Sequence, residues 1–178
     1  MIIFSQDTVH YFHSQAFMKI FPENWRVALL RTTLVVIFLI VIRIYFVQWF
    51  RAFGMSMEPT IKDGSIVLVN KLAYKFHPVE RGDIVIFKTS NRPYVYFIKR
   101  VLAFAGETVE FNNGQLYING HKIPEPYLQE NGNWNVEPFV VKENHIFVCG
   151  DNRLTYWDGH FHPQISMKNI IGKTIGYR

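Results

Sequence analysis

The feature that most constrains this chain is an apolar stretch near its start, "TTLVVIFLIVIRIYFVQWF" at residues 32–50. Coiled as a helix at about 1.5 Å per residue it reaches roughly 28 Å, close to the roughly 30 Å hydrocarbon core of a bilayer. Arg43 is the one charge within it, about two turns from the far end, where its stem can snorkel toward the headgroups beside Trp49. Two competing readings fit less well. A cleaved leader would use the small residues of "RAFG", Ala52 and Gly54, but the 31 residues ahead of the run are long for one. The second is a buried helix of a soluble protein, which the near-uniform apolarity of the run disfavours. The chain is therefore read as a segment at 1–31, one transmembrane helix at 32–50 and a domain at 51–178. Lys19, Arg26 and Arg31 outnumber Asp7 and Glu23 before the run, which puts the N-terminus on the cytoplasmic side and the domain on the other face.

After Arg51 the pattern changes to short runs of Val, Ile, Phe and Tyr separated by turn residues, a mostly β pattern. "SIVLVN" is one candidate strand. "GDIVIFKT" and "YVYFIKRVLAF" flank "SNRP" as a hairpin, "ETVEFNNGQLYINGHKI" reads as two strands around Asn113 and Gly114, and "HIFVCGDN" is a late strand ending in a turn. "PEPYLQENGNWNVEPF", at 124–139, reads as a long surface excursion. At 178 residues there is room for one domain plus its attachment. From Arg51 onward 15 basic residues stand against 12 acidic ones, too dilute an excess to argue for nucleic acid. With a single cysteine, Cys149, no intrachain disulfide can form.

The chemistry concentrates on "FGMSMEPTIKDG" at 53–64, where Ser56 stands between Met55 and Met57, six positions beyond the apolar run. A serine hydroxyl is a poor nucleophile unless a base takes its proton. None of the seven histidines lies in a triad-like context. Lysine can serve only where burial strips solvent from its ammonium form and lowers its pKa. Lys99 sits in such a place, inside the apolar strand "YVYFIKRVLAF", and either it or its neighbour Arg100 should face inward.

Four motifs then carry a family resemblance: "SMEPTI" at 56–61, "RGDIVIF" at 81–87, "YFIKRVLAFAGE" at 96–107 and "GDNR" at 150–153. In this order and after a membrane anchor, they resemble the successive motifs of type I signal peptidases. The resemblance implies a mostly β, antiparallel catalytic domain behind one N-terminal transmembrane helix, with Ser56 as nucleophile and Lys99 as general base. It also implies removal of signal peptides from exported preproteins at the outer membrane face, with the bilayer and possible contact with the export machinery as context. Supporting positions carried over are Gly54, Met57, Pro59, Arg100, Gly150, Asp151, Asn152, Arg153 and Asp158. No cofactor, metal or nucleic acid is implied.

The chain departs from the family pattern in two places. Ala105, Gly106 and Glu107 stand where the family has Pro-Gly-Asp, retaining the turn glycine. Beyond "GDNR" the spacing aligns Tyr156, Asp158, Gly159 and His160 with a stretch that usually supplies a serine and then Asp-Ser-Arg. Gly54 stands where some members carry an oxyanion-donating serine, which leaves that role to the Ser56 N–H. Plainer readings exist for each position: a turn serine at Ser56, an anti-aggregation edge lysine at Lys99, a strand-ending turn at "GDNR". His160 and His162 could bind a metal, but no third ligand is evident. Alternatives to a general signal peptidase are a peptidase dedicated to one conjugation or secretion system, or a tethered binding module with an impaired dyad.

Overall fold

The computed structural model describes residues 24–89, 92–154 and 164–178. The chain divides into two compact units, residues 1–43 and 44–178.

The first unit supplies most of helix α1 (Trp25–Tyr45), which has no acidic residue in its first turn and ends with Arg43 in its last. A cation at that end suits the helix dipole. Across Trp25–Arg43 the helix is long and apolar enough to cross a membrane, and none of that stretch is buried within the protein. An apolar helix exposed all round matches hydrocarbon better than water. The helix does not occupy 32–50 as the sequence reading has it. It begins at Trp25 and stops at Tyr45, and Val47–Arg51 is a β-strand. The reason is that Phe46, Val47, Trp49 and Phe50 continue the apolar run past the helix end, with only Gln48 between them, and so conceal the change of side-chain period from 3.6 to 2.

The second unit holds β1 (Val47–Arg51), β2 (Ile66–Asn70), a short helix α2 (Ala73–Phe76), β3 (Ile84–Thr89), β4 (Arg92–Phe104), β5 (Thr108–Asn112), β6 (Gln115–Ile118), β7 (His121–Lys122), β8 (Val136–Val140), β9 (His145–Cys149), β10 (Gln164–Ser166) and β11 (Ile170–Tyr177). Seven strands form one sheet in the order β1-β2-β11-β3-β4-β9-β10, and four form a second in the order β7-β6-β5-β8. Every pairing is antiparallel. The expected mostly β architecture is thus present.

The Asn113-Gly114 turn forms as its residues require, both at positive φ, with Asn112 opposite Gln115. Besides β1 and α2, three strands lie outside the sequence reading: β8 pairs with β5 at the end of the supposed excursion, where Trp134 is also buried, β10 forms an edge of the large sheet, and β11 lies inside that sheet between β2 and β3. Pro138 within β8 is tolerated because β8 is an edge strand.

Three apolar clusters hold the unit together. Ala52, Met57, Ile61, Val67, Val69, Ile84 and Ile86 form one, with Phe50 and Ile98 against it. A second gathers Val85, Phe87, Val101, Ile146 and Val148, and a third joins Phe111, Trp134 and Leu116 of the small sheet to Phe147 and Cys149 of β9. Val67, Val85, Ile86 and Phe87 are fully buried, each contributing about 1.5–3 kcal/mol relative to exposure. The first cluster matters most for function, because Met57 and Ile61 reach it from the loop that carries Ser56.

Candidate active site

The loop between β1 and β2 is pinned at its base by Ala52 N–H to Ser65 O at 2.8 Å and Gly64 N–H to Ala52 O at 2.9 Å. Within it, Glu58 N–H bonds Met55 O and Ile61 N–H bonds Met57 O, so residues 55–61 make overlapping turns. Gly54 adopts φ 90, a backbone conformation suited to glycine, and donates its N–H to Asp63 Oδ1 at 2.7 Å. Pro59 follows a cis peptide bond. The alternation around Ser56 now has a physical meaning. Met57 is buried in the core and Met55 is exposed, so the serine is fixed between an anchored residue and a solvent-facing one.

Ser56 and Lys99 line the same groove, a cavity of about 510 Å³ whose walls include Phe50, Ala52, Ile61, Ile86 and Ile98. Among the described residues that line it, Arg51 and Lys99 are the charged ones and none is a carboxylate. Lys99 is 7% exposed and forms no ion pair among the described residues. Burial pushes its pKa below the ordinary lysine value, against the opposing pull of Cys149 and Asp151. Neither opponent acts at full strength. Burial raises the Cys149 thiol, keeping it neutral, and Asp151 already has a cationic partner.

That partner is Arg100, the next residue on β4. Its Nε donates to Asp151 Oδ1 at 2.9 Å and its Nη2 to Asp151 Oδ2 at 2.6 Å, while Nη1 reaches Gly82 O at 2.8 Å. Its guanidinium also lies 3.9 Å from the Tyr127 ring centroid. The expectation that one of these two cations faces inward is met in a particular way: both are largely buried, Arg100 with a carboxylate and Lys99 without one.

The "GDNR" turn clasps the serine loop. Asn152 N–H bonds Ser56 O and Asn152 Nδ2 bonds Met55 O, both at 3.1 Å, and Thr60 Oγ1 donates to Asp151 Oδ2 at 2.6 Å. Arg153 is 1% exposed, holding Gly150 O through Nε at 2.9 Å and pairing with Glu125. It lies 5.3 Å and 5.4 Å from the ring centroids of Phe111 and Trp134. Arg100 and Asp151, with Asn152, Arg153 and Gly150 of the turn, are thus tied by hydrogen bonds to the Ser56 loop, and Gly54 and Met57 line the groove with Ser56 and Lys99. Asp158, with Tyr156, Gly159, His160 and His162, lies outside the described residues. Thr60, inside "SMEPTI" but assigned no role there, belongs to the network, as do Glu125 and Tyr127, which no local motif reveals. Among the described residues no group of His, Cys, Asp and Glu could hold a metal.

The Ser56 N–H makes no hydrogen bond among the described residues and remains a donor beside the groove. Chemically, the site offers a hydroxyl, an amine held toward its neutral form and a donor for a developing oxyanion.

The chain is similar to known proteins over most of its length. The family described as "Signal peptidase, peptidase S26" matches residues 25–177. "Signal peptidase I" of Bacillus caldolyticus is 34% identical over 134 residues, covering 67% of this chain and 72% of that protein. "Signal peptidase I V" of Bacillus subtilis (strain 168) is 37% identical over 134 residues, covering 67% of this chain and 78% of its own. A crystal structure of a signal peptidase I from Enterococcus faecalis V583 aligns with 55% of this chain and 97% of that chain, at 27% identity and a TM-score of 0.45.

Proposed function

The chain belongs to the signal peptidase family, peptidase S26, of serine endopeptidases that remove signal peptides, and from that premise we propose that Ser56 is its nucleophile and Lys99 its general base. The observation that carries the assignment is the shared groove, into which Lys99 brings an amine that burial favours in its neutral form.

In the first step neutral Lys99 accepts the Ser56 hydroxyl proton as Oγ bonds to the scissile carbonyl carbon. The resulting oxyanion is stabilised by the Ser56 N–H, since Gly54 has no side chain to donate. Lys99 then passes its proton to the leaving amine, the peptide C–N bond breaks and Ser56 carries an acyl ester. A water deprotonated by Lys99 attacks that ester, and the proton returns to Oγ as the acid leaves.

β4 pairs with β9 only from Arg100 onward, so on that side residues 94–99 present an unpaired backbone edge among the described residues. An extended preprotein segment adding to this edge would place alternate side chains in the groove, a mode suited to reading small residues near the cut. Helix α1 anchors the enzyme in the membrane, with Arg26 and Arg31 in its N-terminal turns and Lys19 ahead of them holding that end on the cytoplasmic side, and the β-sheet unit from Val47 onward is the extracytoplasmic catalytic part. The test is cleavage of an exported preprotein by purified full-length protein and by its Ser56→Ala variant. Loss of cleavage in the variant supports the assignment; persistence removes Ser56 from the mechanism.

A further inference from the structure

Among the described residues Asp151 is the one carboxylate that touches both halves of the proposed dyad's scaffold. Arg100, adjacent to Lys99 on β4, grips both of its oxygens, and Thr60, from the Ser56 loop, donates to Oδ2 at 2.6 Å. Asp151 is 1% exposed, so its oxygens depend on these protein donors rather than on water. The other links from the turn to the loop, Asn152 to Met55 O and Ser56 O, end on backbone oxygens. Thr60 thus supplies the side-chain hydrogen bond by which the loop itself reaches the turn.

We propose that Thr60 is a positioning residue for peptide cleavage, its hydroxyl holding the Ser56 loop in register with the Lys99 strand through Asp151. The inference rests on the Ser56 and Lys99 assignment above. Residues 55–61 form overlapping turns, so a shift at Thr60 is transmitted to Ser56 rather than absorbed. A charge-assisted hydrogen bond from a hydroxyl to a carboxylate is short and directional, which suits it to fixing a register. Thr60 does not line the groove that the proposed substrate would enter. Its removal therefore acts on the chemical step, where a displacement of about 1 Å costs on the order of 100-fold.

The experiment compares Thr60→Val, Thr60→Ser and Ser56→Ala in the full-length protein, measuring kcat, KM and Tm with a preprotein substrate. Valine keeps the shape and removes the donor, and Arg100 still satisfies Asp151, so folding is retained. Thr60→Val is expected to lower kcat about tenfold or more with KM within about twofold, and Thr60→Ser to restore most of the loss. Wild-type kcat in Thr60→Val overturns the proposal. So does a Thr60→Ser variant as impaired as Thr60→Val, which would assign the effect to the methyl group's packing. If Thr60→Val fails to fold, Thr60→Ala against Thr60→Ser gives the same comparison. Ser56→Ala separates the two levels: continued cleavage there sinks the nucleophile assignment, whereas an inactive Ser56→Ala beside a fully active Thr60→Val sinks the role of Thr60 alone.

Discussion

Lys99 is a residue whose usefulness opposes stability. Between its lowered folded value and the ordinary 10.5, the unfolded chain holds a proton on this amine that the folded protein does not. The linkage sign follows: stability rises with pH across that window and is lower below it. Replacing Lys99 with Met keeps the length and removes the proton penalty. Lys99→Met is therefore expected to be inactive yet to melt at a higher temperature than wild type at neutral pH. The gap should shrink as pH approaches 10.5, and thermal melts at several pH values check it. Lys99→Arg, which cannot deprotonate in the working range, should lose about 10²–10⁴-fold in rate. Both residues of the proposed dyad were legible in the sequence because their local surroundings are unusual, a hydroxyl between methionines and an amine inside an apolar strand. The roles of Thr60 and Glu125 were not, because their partners Asp151 and Arg153 lie 91 and 28 positions away, so that even inside "SMEPTI" nothing local says what Thr60 holds.

At the scale of elements, the strands read correctly are the Val-, Ile-, Phe- and Tyr-rich runs bounded by turn residues, β2, β3, β4, β5, β6 and β9. The missed ones each hide their period. β1 is masked by the apolar run it continues, and β8 contains Pro138. β11 is interrupted by Gly172, where a Cβ would meet Asn70 O at 2.3 Å, so the glycine that dilutes the strand pattern is the one that lets β2 approach. The segment before β8 also does more than cover a surface. Gly132 sits at φ +67 with a Cβ position 2.2 Å from Arg153 O, so it packs directly on the turn that clasps the Ser56 loop. Gly132→Ala should destabilise the fold by about 1–3 kcal/mol and lower activity with it. Gly120→Ala is the control, since it has a similar φ of +77 with nothing near the added carbon, and should cost less in both. Equal losses in the two variants would mean that the contact with Arg153 is immaterial.

At the scale of the whole molecule, the corrected end of the helix decides where an anchor-free enzyme can begin. A fragment starting at 52 would lose β1, which pairs with β2 over five positions and supplies Phe50 and Arg51 to the groove. A fragment of residues 44–178 retains every strand. The latter is expected to fold and cut a short soluble peptide, the former to do neither. Sharing a bilayer with a membrane-held preprotein raises effective concentration without adding a contact, so the 44–178 fragment should lose far more rate on that substrate than on the peptide. Equal fractional losses would show that the anchor contributes only to folding. The central claim remains that an uncharged Lys99 activates Ser56 in an apolar groove. Its most direct test is kcat/KM for the full-length protein on a soluble peptide as a function of pH. The account predicts a rise through one ionisation with its midpoint well below the ordinary lysine value of 10.5, and a midpoint at that value would contradict it.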